Sequence, residues 1–327
     1  MEIQAGAVEI RVGDCRQTLA QMAEGSVHCC VTSPPYFGLR DYGEPGQIGL
    51  ESSPAVYVDQ LVEVFRGVHR VLREDGTLWL NLGDSYAGSG GAGNQFGQLE
   101  RGLKKYKQTA GPKAMGLKPK DLIGIPWRVA LALQADGWFL RQDIIWFKPN
   151  PMPESVQDRC TKAHEYVFLF SKSERYHFDQ DPIREDVKPW NDGKIKAPKL
   201  GDHRLSDPYG LQTEKQYPEI KGANCRSVWT VPTRPFAGAH FATFPPELVE
   251  RPILAGCPEG GTVLDPFGGS GTTGVVAQRF RRRAVLCELN PEYAKLAASR
   301  ILTDTWDQAS RPADTPGQGF LFETTEA

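Results

Sequence analysis

The chain has 327 residues, of which 40% are hydrophobic and 24% charged, and its formal net charge is -2 at pH 7. This composition is typical of a soluble globular protein whose core can enclose a ligand pocket, and no apolar run approaches the ~20 residues of a membrane helix. The small net charge gives no sign of a polyanionic partner, so a nucleic-acid surface would need an uneven distribution of charge.

The seven cysteines are odd in number and contain no Cys-x-x-Cys pair. Their irregular spacing argues against a disulfide framework and against a zinc site, so we expect reduced thiols and no bound metal. The N-terminal segment lacks the basic leader and apolar stretch of a secretory signal. We therefore expect a cytoplasmic protein, of bacterial or phage origin, without a membrane anchor.

Strand and helix patterns alternate from Val8 to about residue 180. VEIRV predicts a strand, CRQTLAQM a helix and VHCCVT a second strand, which together make a βαβ unit. Residues 55–72 repeat apolar side chains at three- and four-residue spacing and predict a helix, and DGTLWLNLGD then predicts a turn and a buried strand. Residues 121–135 predict another helix, followed by the strands WFLRQDIIWFKP and HEYVFLFSK.

Two segments interrupt this alternation. Residues 87–120 begin Gly-rich and carry seven Lys or Arg residues and no acid between positions 101 and 120. Such a loop is either simply solvated or, in a DNA-binding protein, in contact with phosphates. Residues 181–230 are polar, Pro-rich and without periodicity, and they predict an inserted loop-rich module.

The alternating pattern returns after the second interruption. TVLDPFGGSGTTGVVAQRF predicts a strand, a glycine loop and a helix, and RRRAVLCELNPEYAKLAASRIL predicts a strand, a turn and a helix. The polar, acidic residues 303–327 predict a disordered tail. We therefore expect one α/β core made of residues 1–180 and 231–302, with residues 181–230 inserted between its two parts.

The glycine loop predicts a cofactor site. Gly269 to Gly274 have G-x-G-x-x-G spacing between a predicted strand and a predicted helix, so the backbone can approach a nucleotide-like ligand closely. Glu288 ends the next predicted strand, where a carboxylate can accept hydrogen bonds from both hydroxyls of a ribose. These two features predict an adenosine-containing cofactor, either S-adenosylmethionine or a nicotinamide dinucleotide.

Asp265, at the end of the strand before this loop, distinguishes the two cofactors. Its carboxylate can hold the methionine ammonium of S-adenosylmethionine, whereas it would repel a pyrophosphate. A P-loop is excluded because its lysine is missing. The sequence therefore favours S-adenosylmethionine.

The tetrapeptide Ser33-Pro34-Pro35-Tyr36 follows a predicted buried strand, at the end where open α/β sheets bind ligands. Each proline restrains φ and has no N–H, so the Ser33 and Pro34 carbonyls point in set directions without competing donors. Ser33 Oγ and the Pro34 carbonyl are the candidate pair of acceptors. Such a pair would accept hydrogen bonds from an exocyclic base amine and favour the pyramidal nitrogen that attacks a methyl sulfonium. Tyr36 offers a ring on which an extruded base can stack.

TSPPY and DPFGGSGTT together resemble the amino-methyltransferase family of DNA methyltransferases, which modify N6 of adenine or N4 of cytosine. The resemblance runs from about Val8 to Leu302, and the order of the two motifs is similar to the β group of that family. It implies a Rossmann-like class I methyltransferase fold, a mostly parallel twisted sheet with helices on both faces, and a target-recognition module at residues 181–230. Members with Asp or Asn at the first tetrapeptide position usually methylate adenine and those with Ser usually methylate cytosine, so Ser33 favours N4 of cytosine.

The resemblance also implies the remaining site residues. Phe244 and Pro245 are similar to a segment that closes over the methionine end of the cofactor, and Asp14 is similar to an acidic position near its adenine. The full set expected to bind S-adenosyl-L-methionine is Asp14, Phe244, Pro245, Asp265, Phe267, Gly268, Gly269, Ser270, Gly271, Thr272, Thr273 and Glu288. Arg40, Lys104, Lys105 and Lys107 are expected to contact DNA, and Arg159, His164 and Glu165 resemble a family segment near the target base.

We therefore predict a site-specific methyltransferase that acts on double-stranded DNA, as a monomer or homodimer, with a cognate restriction endonuclease that acts separately. A nicotinamide-dependent dehydrogenase would leave SPPY unexplained. A non-catalytic nucleic-acid-binding protein would not bind the cofactor. Methylation of RNA or protein amines stays open, because the chemistry of the pocket would be the same.

Overall fold

The computed structural model describes residues 1–88, 116–185, 222–234 and 244–305 of the chain. Within these residues nine strands form one sheet and six helices accompany it. The strands are β1 (Glu2–Ala5), β2 (Val8–Val12), β3 (Val27–Thr32), β4 (Leu72–Leu82), β5 (Phe139–Phe147), β6 (His164–Ser171), β7 (Val228–Thr230), β8 (Thr262–Asp265) and β9 (Arg283–Glu288). The helices are α1 (Cys15–Gln21), α2 (Pro54–Val71), α3 (Ile125–Ala135), α4 (Pro246–Gly256), α5 (Thr272–Arg279) and α6 (Pro291–Leu302).

The strand order across the sheet is β1-β2-β9-β8-β3-β4-β6-β5-β7. The strands from β2 to β4 in this order all run parallel, and β7 runs parallel to β5. The pairs β1-β2, β4-β6 and β5-β6 are antiparallel. The predicted α/β fold with a mostly parallel sheet is therefore confirmed, and the carboxyl ends of the central strands meet at one edge, which we call the carboxyl edge.

Helices cover both faces of the sheet. Cys29 and Cys30 are adjacent in β3 but lie in different buried clusters, because successive side chains of a strand point to opposite faces. One cluster includes residues of α1, α2 and α3, namely Leu19, Leu61, Phe65, Val129 and Leu133. The other includes residues of α4, α5 and α6, namely Leu248, Ile253, Val276, Ala297 and Ile301.

The local sequence explains where α2 begins and which face it buries. Ser53 caps the helix by accepting a hydrogen bond from the Val56 N–H at 3.3 Å, and Pro54 occupies the first turn, where its missing N–H costs nothing. The buried side chains recur every three or four residues, at Tyr57, Leu61, Val64, Phe65 and Val68. The apolar stripe predicted from the spacing is therefore the face that packs on the sheet.

The sequence patterns did not predict β1, α4 and β7. The first is a four-residue edge strand, and α4 contains Pro252, which interrupts the helical pattern. The three-residue β7 is held by packing, since Trp229 stacks on Trp79 of β4 with ring centroids 6.2 Å apart. The last residues of the range 181–230 thus belong to the edge of the sheet.

Both interrupting segments have ends that lie side by side. The Ala87 N–H donates to the Asp121 carbonyl, and the Lys120 N–H donates to the Ala87 carbonyl, each at 2.8 Å. At the second segment, Glu185 forms an isolated antiparallel bridge with Ala223. Across the described ranges, no helix has both the length and the apolar character needed to cross a bilayer.

We expect Gly256→Ala to destabilise the fold by about 1–3 kcal/mol, because the site is overpacked by a methyl group. A Cβ at this position would lie 2.6 Å from Thr77 Oγ1 and 2.7 Å from Trp79 Nε1, both inside the core. Urea unfolding measures the difference. Gly88→Ala is the matched control, since a Cβ there meets no atom of the described residues within 4 Å; equal destabilisation by both substitutions would contradict the packing argument.

Candidate active site

The predicted site residues converge on the carboxyl edge of the sheet. Asp14 follows β2, Ser33 follows β3, and Asp265 and Glu288 are the last residues of β8 and β9. Because these strands are parallel, their ends lie on the same side. The structure thus brings the tetrapeptide and the glycine loop together, although Thr32 and Asp265 are 233 positions apart in the chain.

The glycine loop turns sharply between β8 and α5. The Gly268 N–H donates to the Cys287 carbonyl and the Gly271 N–H donates to the Gly268 carbonyl, each at 2.8 Å. Gly271 has a φ of +80°, and a Cβ there would lie 2.9 Å from Ala297 Cβ, so this position requires glycine for both its conformation and its packing. The turn leaves the loop backbone at the carboxyl edge, where a ligand can approach it.

Arg300 of α6, which the sequence patterns missed, supports this loop. Its guanidinium donates to Ser270 Oγ at 2.9 Å and to Thr272 Oγ1 at 2.8 Å, and partial burial lowers the pKa of Arg300. The side chains of Ser270 and Thr272 are buried. Their predicted contacts with a cofactor stay a prediction, since each residue is only 3% exposed with its backbone included.

Glu288 lies beside the loop and is nearly buried. Its Oε2 accepts from the Gly269 N–H at 2.8 Å and its Oε1 accepts from the Asn290 N–H at 2.9 Å. Burial raises the pKa of Glu288 to about 7. Each oxygen keeps a lone pair for a further donor, so the carboxylate can also accept hydrogen bonds from a ribose.

Asp265 is 1% exposed and links the two motifs. Its carboxylate accepts from Thr32 Oγ1 at 2.6 Å and from Thr273 Oγ1 at 2.7 Å, and also from the Phe267 N–H at 3.0 Å. Burial raises the pKa of Asp265 to about 6, against the opposing effect of these hydrogen bonds. The contact with a methionine ammonium stays a prediction, and the observed contacts join the end of β3 to the start of α5.

The tetrapeptide is held by contacts with α2 and β4. Tyr57 Oη donates to the Pro35 carbonyl at 2.8 Å. The ring of Tyr36 lies directly against Gly83, where a Cβ would be 2.4 Å from Tyr36 Cε2. Ser33 Oγ lies 3.5 Å from Tyr36 Oη, so the first and last residues of the motif face each other.

A polar cluster surrounds the Tyr36 hydroxyl. Glu165 Oε2 accepts from Tyr36 Oη at 2.7 Å and from Asn81 Nδ2 at 3.2 Å, while Lys148 forms an ion pair with Glu165 Oε1. Burial, followed by the Glu165 carboxylate, raises the pKa of Tyr36 well above its ordinary value. We call these four residues the Glu165 cluster. The family resemblance pointed to Glu165, whereas Asn81 and Lys148 carry no sequence signal beyond their positions at strand ends.

The other predicted cofactor residues lie around this edge. Asp14 caps α1, accepts from the Arg16 N–H at 2.9 Å and pairs with the Arg16 guanidinium. Pro245 is the buried N-cap of α4, with Phe244 packed against the core before it. Phe267 packs against the cluster on the opposite face.

The predicted DNA contacts are only partly described. Lys104, Lys105 and Lys107 lie outside the described residues. In the described end of the same basic segment, Lys120 pairs with Asp158 at 2.7 Å and remains largely exposed. Arg40 accepts a hydrogen bond on its carbonyl from Gln47 in the loop after the tetrapeptide. In the part of the chain that is described, no group of His, Cys, Asp and Glu residues is arranged to hold a metal ion.

Comparison with known proteins identifies the family. The model of the N6 and N4 DNA methylase family matches residues 27–299. The chain belongs to this family. Type II methyltransferase M.SmaI of Serratia marcescens is 46% identical over 302 residues, covering 92% of this chain and 93% of the relative. Type II methyltransferase M.Cfr9I of Citrobacter freundii is 48% identical over 297 residues, covering 88% of this chain and 86% of the relative.

Solved structures share the fold. PvuII DNA methyltransferase, which is cytosine-N4-specific, aligns with a TM-score of 0.61 over 93% of this chain and 91% of its own, at 21% identity. A candidate DNA modification methylase of Thermus thermophilus, solved with S-adenosyl-L-methionine, aligns with a TM-score of 0.54 and 27% identity over 89% of this chain and 92% of its own. This DNA methylase is therefore an S-adenosylmethionine-dependent enzyme that methylates amino groups of DNA.

We expect Thr32→Val to cost about 1–3 kcal/mol of unfolding free energy, because it removes a donor from the buried Asp265 carboxylate. The substitution preserves side-chain shape, so urea unfolding reports chiefly the lost hydrogen bond. Thr303→Val is the control, since the Thr303 hydroxyl donates to the Ser299 carbonyl at an exposed helix end. An unchanged midpoint for Thr32→Val would contradict the proposed strength of this link.

We expect the affinity for S-adenosylmethionine to weaken as the pH falls from about 8 to about 6, because Glu288 gains a proton around its raised pKa of about 7. Only the ionised carboxylate can accept hydrogen bonds from both ribose hydroxyls while keeping its two backbone donors. Glu288→Gln should bind the cofactor about tenfold or more weakly, with a flatter pH dependence. Isothermal titration calorimetry at several pH values measures both effects, with Glu259→Gln as a surface control. A wild-type affinity independent of pH would contradict the assignment.

Proposed function

We propose that this DNA methylase transfers a methyl group from S-adenosylmethionine to the exocyclic N4 amine of a cytosine flipped out of duplex DNA, within a fixed short sequence. The observation that carries the choice of base is Ser33 at the first position of the tetrapeptide. The Type II methyltransferase relatives support a DNA substrate and a place in restriction and modification. A cognate restriction endonuclease acting separately is part of the same proposal.

The residues at the cofactor end fit the proposed ligand. Gly269 of the glycine loop is partly exposed at the carboxyl edge, and the Glu288 carboxylate next to it retains acceptor capacity. In this proposal Glu288 and the glycine loop would hold the cofactor, with the Glu288 carboxylate as acceptor for the ribose hydroxyls, and Asp265 aligns the loop with β3. When bound, S-adenosylmethionine supplies an electrophilic methyl group, whose carbon–sulfur bond breaks with the electron pair remaining on sulfur.

The tetrapeptide prepares the amine in the proposed reaction. Ser33 Oγ and the Pro34 carbonyl accept hydrogen bonds from the two N–H groups, so the nitrogen lone pair is drawn out of the ring and directed at the methyl carbon. The amine nitrogen would gain the methyl group and lose one proton to water. Tyr36, fixed against Gly83, offers the outer part of its ring for stacking, worth about 1–3 kcal/mol against the cost of unpairing the base.

The alternative substrate is N6 of adenine. The same two acceptors would bind any exocyclic amine, and the family includes both activities.

Sequence recognition is assigned in this proposal to residues 181–230, and phosphate contacts to the basic residues between 87 and 120. Ala87, the first residue of that segment, follows β4, and its N–H donates to the Asp121 carbonyl at 2.8 Å.

We expect plasmid DNA from cells that express the protein to carry N4-methylcytosine in one short motif, read by sequencing that distinguishes this base from N6-methyladenine. Ser33→Ala and Tyr36→Ala should lower methyl transfer about 100-fold or more, since each removes a group that acts on the reacting amine or base. Lys295→Ala, on the exposed face of α6, is the control. N6-methyladenine would overturn the choice of base, and full activity of either tetrapeptide variant would overturn the mechanism.

A further inference from the structure

The Glu165 cluster determines the direction of the hydrogen bonds around Ser33. A carboxylate has no hydrogen to give, so Tyr36, Asn81 and Lys148 must all donate to Glu165. Lys148 and Glu165 are 18% and 15% exposed in their side chains, and the Lys148 ammonium also lies 4.2 Å from the centre of the Trp146 ring. The negative charge at this position is therefore held in place from the side opposite Tyr36.

The Tyr36 hydroxyl has one hydrogen and two acceptors within reach. Glu165 Oε2 is 2.7 Å away and charged, whereas Asn81 Oδ1 is 3.2 Å away and neutral. The shorter, charge-assisted bond takes the hydrogen. Burial raises the pKa of Tyr36 well above its ordinary value, so the phenol stays protonated and remains the donor.

Ser33 is the next group along the chain of hydroxyls. Since Tyr36 gives its hydrogen to Glu165, its oxygen can only accept from the Ser33 hydroxyl, which lies 3.5 Å away. Catalytic hydrogen bonds are often long before the substrate binds and shorten in the complex. With its hydrogen turned toward Tyr36, Ser33 Oγ presents only lone pairs to the base.

We propose that Glu165 is a positioning residue, held by Lys148, that acts through Tyr36 to make Ser33 Oγ an obligate hydrogen-bond acceptor. Ser33 thereby selects an amino group over a carbonyl at the reacting position of the base. This inference rests on the proposed function. A carbonyl oxygen at that position would face Ser33 Oγ with no hydrogen between the two acceptors. The N–H of an amine instead donates to Ser33 Oγ, so that every donor in the chain of hydrogen bonds has an acceptor. The hydroxyl of Tyr36 thereby has a role separate from the stacking role of its ring.

Glu165→Gln is the sharpest single change. The Lys148 ammonium would attract the amide oxygen, so the amide NH2 would turn toward Tyr36 and reverse the chain. Tyr36→Phe keeps the ring and removes the hydroxyl. Each variant should lower the single-turnover rate of methyl transfer about 10- to 100-fold at saturating cofactor and DNA. Dissociation constants for both should stay within about twofold, and fluorescence of 2-aminopurine at the target position should still report an extruded base.

Asp304→Asn is the matched control. The side chains of Arg279 and Asp304 are 18% and 16% exposed, which nearly equals the exposure of Lys148 and Glu165. The Arg279–Asp304 ion pair lies at the far end of α5, away from the tetrapeptide. A control rate equal to wild type, with both test variants slow, supports the proposal. An unchanged rate in Tyr36→Phe or Glu165→Gln overturns it. Parallel losses of DNA binding and 2-aminopurine fluorescence also overturn it, because they indicate a structural role.

A second measurement uses Lys148→Met. Without the ammonium, the amide oxygen of Glu165→Gln can turn back to Tyr36, so Glu165→Gln should cost several-fold less rate in the Lys148→Met background than in the wild-type background. An equal or larger cost in that background overturns the proposal. Absence of DNA methylation by the wild-type enzyme would instead refute the proposed function. If the wild-type enzyme is active and the variants do not behave as expected, only the role given to Glu165 is overturned.

Discussion

The buried Asp265 carboxylate accepts hydrogen bonds from Thr32 on one side and Thr273 on the other. Thr32 directly precedes Ser33, and Thr273 stands two residues after Gly271 at the start of α5. Burying a carboxylate costs free energy unless hydrogen-bond donors reach it. Separating the end of β3 from the start of α5 would remove these donors, so the cost of an unpaired Asp265 keeps the two segments together. This internal contact therefore helps to set the distance between the tetrapeptide and the glycine loop. Methyl transfer requires such control, because a misplacement of the reacting groups by about 1 Å can cost about 100-fold in rate.

The sheet topology makes this contact available. β3 and β8 are parallel neighbours, although most of the chain lies between them in sequence. Further links run across the same edge, since Asn290 Nδ2 donates to Glu44 Oε1 at 2.9 Å and Arg300 donates to the glycine loop. Asn290 joins the cofactor side to the loop that follows the tetrapeptide. The order in which the motifs appear along the chain is thus of little consequence, because strand adjacency and these side-chain links assemble the site.

The elements and motifs predicted from sequence are those encoded by local patterns. The spacing of apolar residues predicted α2, and the strand–glycine–helix pattern predicted the loop that Gly271 makes possible. Three features were beyond such reasoning: β7, held by Trp229 on Trp79; Arg300, far from the loop it supports; and Lys148, just past a strand end. Each depends on contacts between segments remote in sequence, which periodicity does not report. The fold was therefore more predictable than the contacts that orient the site residues. Those contacts come from residues that belong to no recognisable sequence motif.

The two ends of the site differ in how their negative charge is balanced. Glu165 has a cation of its own, Lys148, so its charge can polarise the hydroxyls of Tyr36 and Ser33 at all times. At the cofactor end, burial raises the pKa of Asp265 to about 6 and that of Glu288 to about 7. S-adenosylmethionine carries a sulfonium and an ammonium, and positive charge nearby favours the ionised carboxyl forms. In the proposed reaction the cofactor therefore completes the electrostatics of its own pocket, while the base pocket is polarised before any ligand arrives. This arrangement keeps the acceptor character of Ser33 independent of cofactor binding.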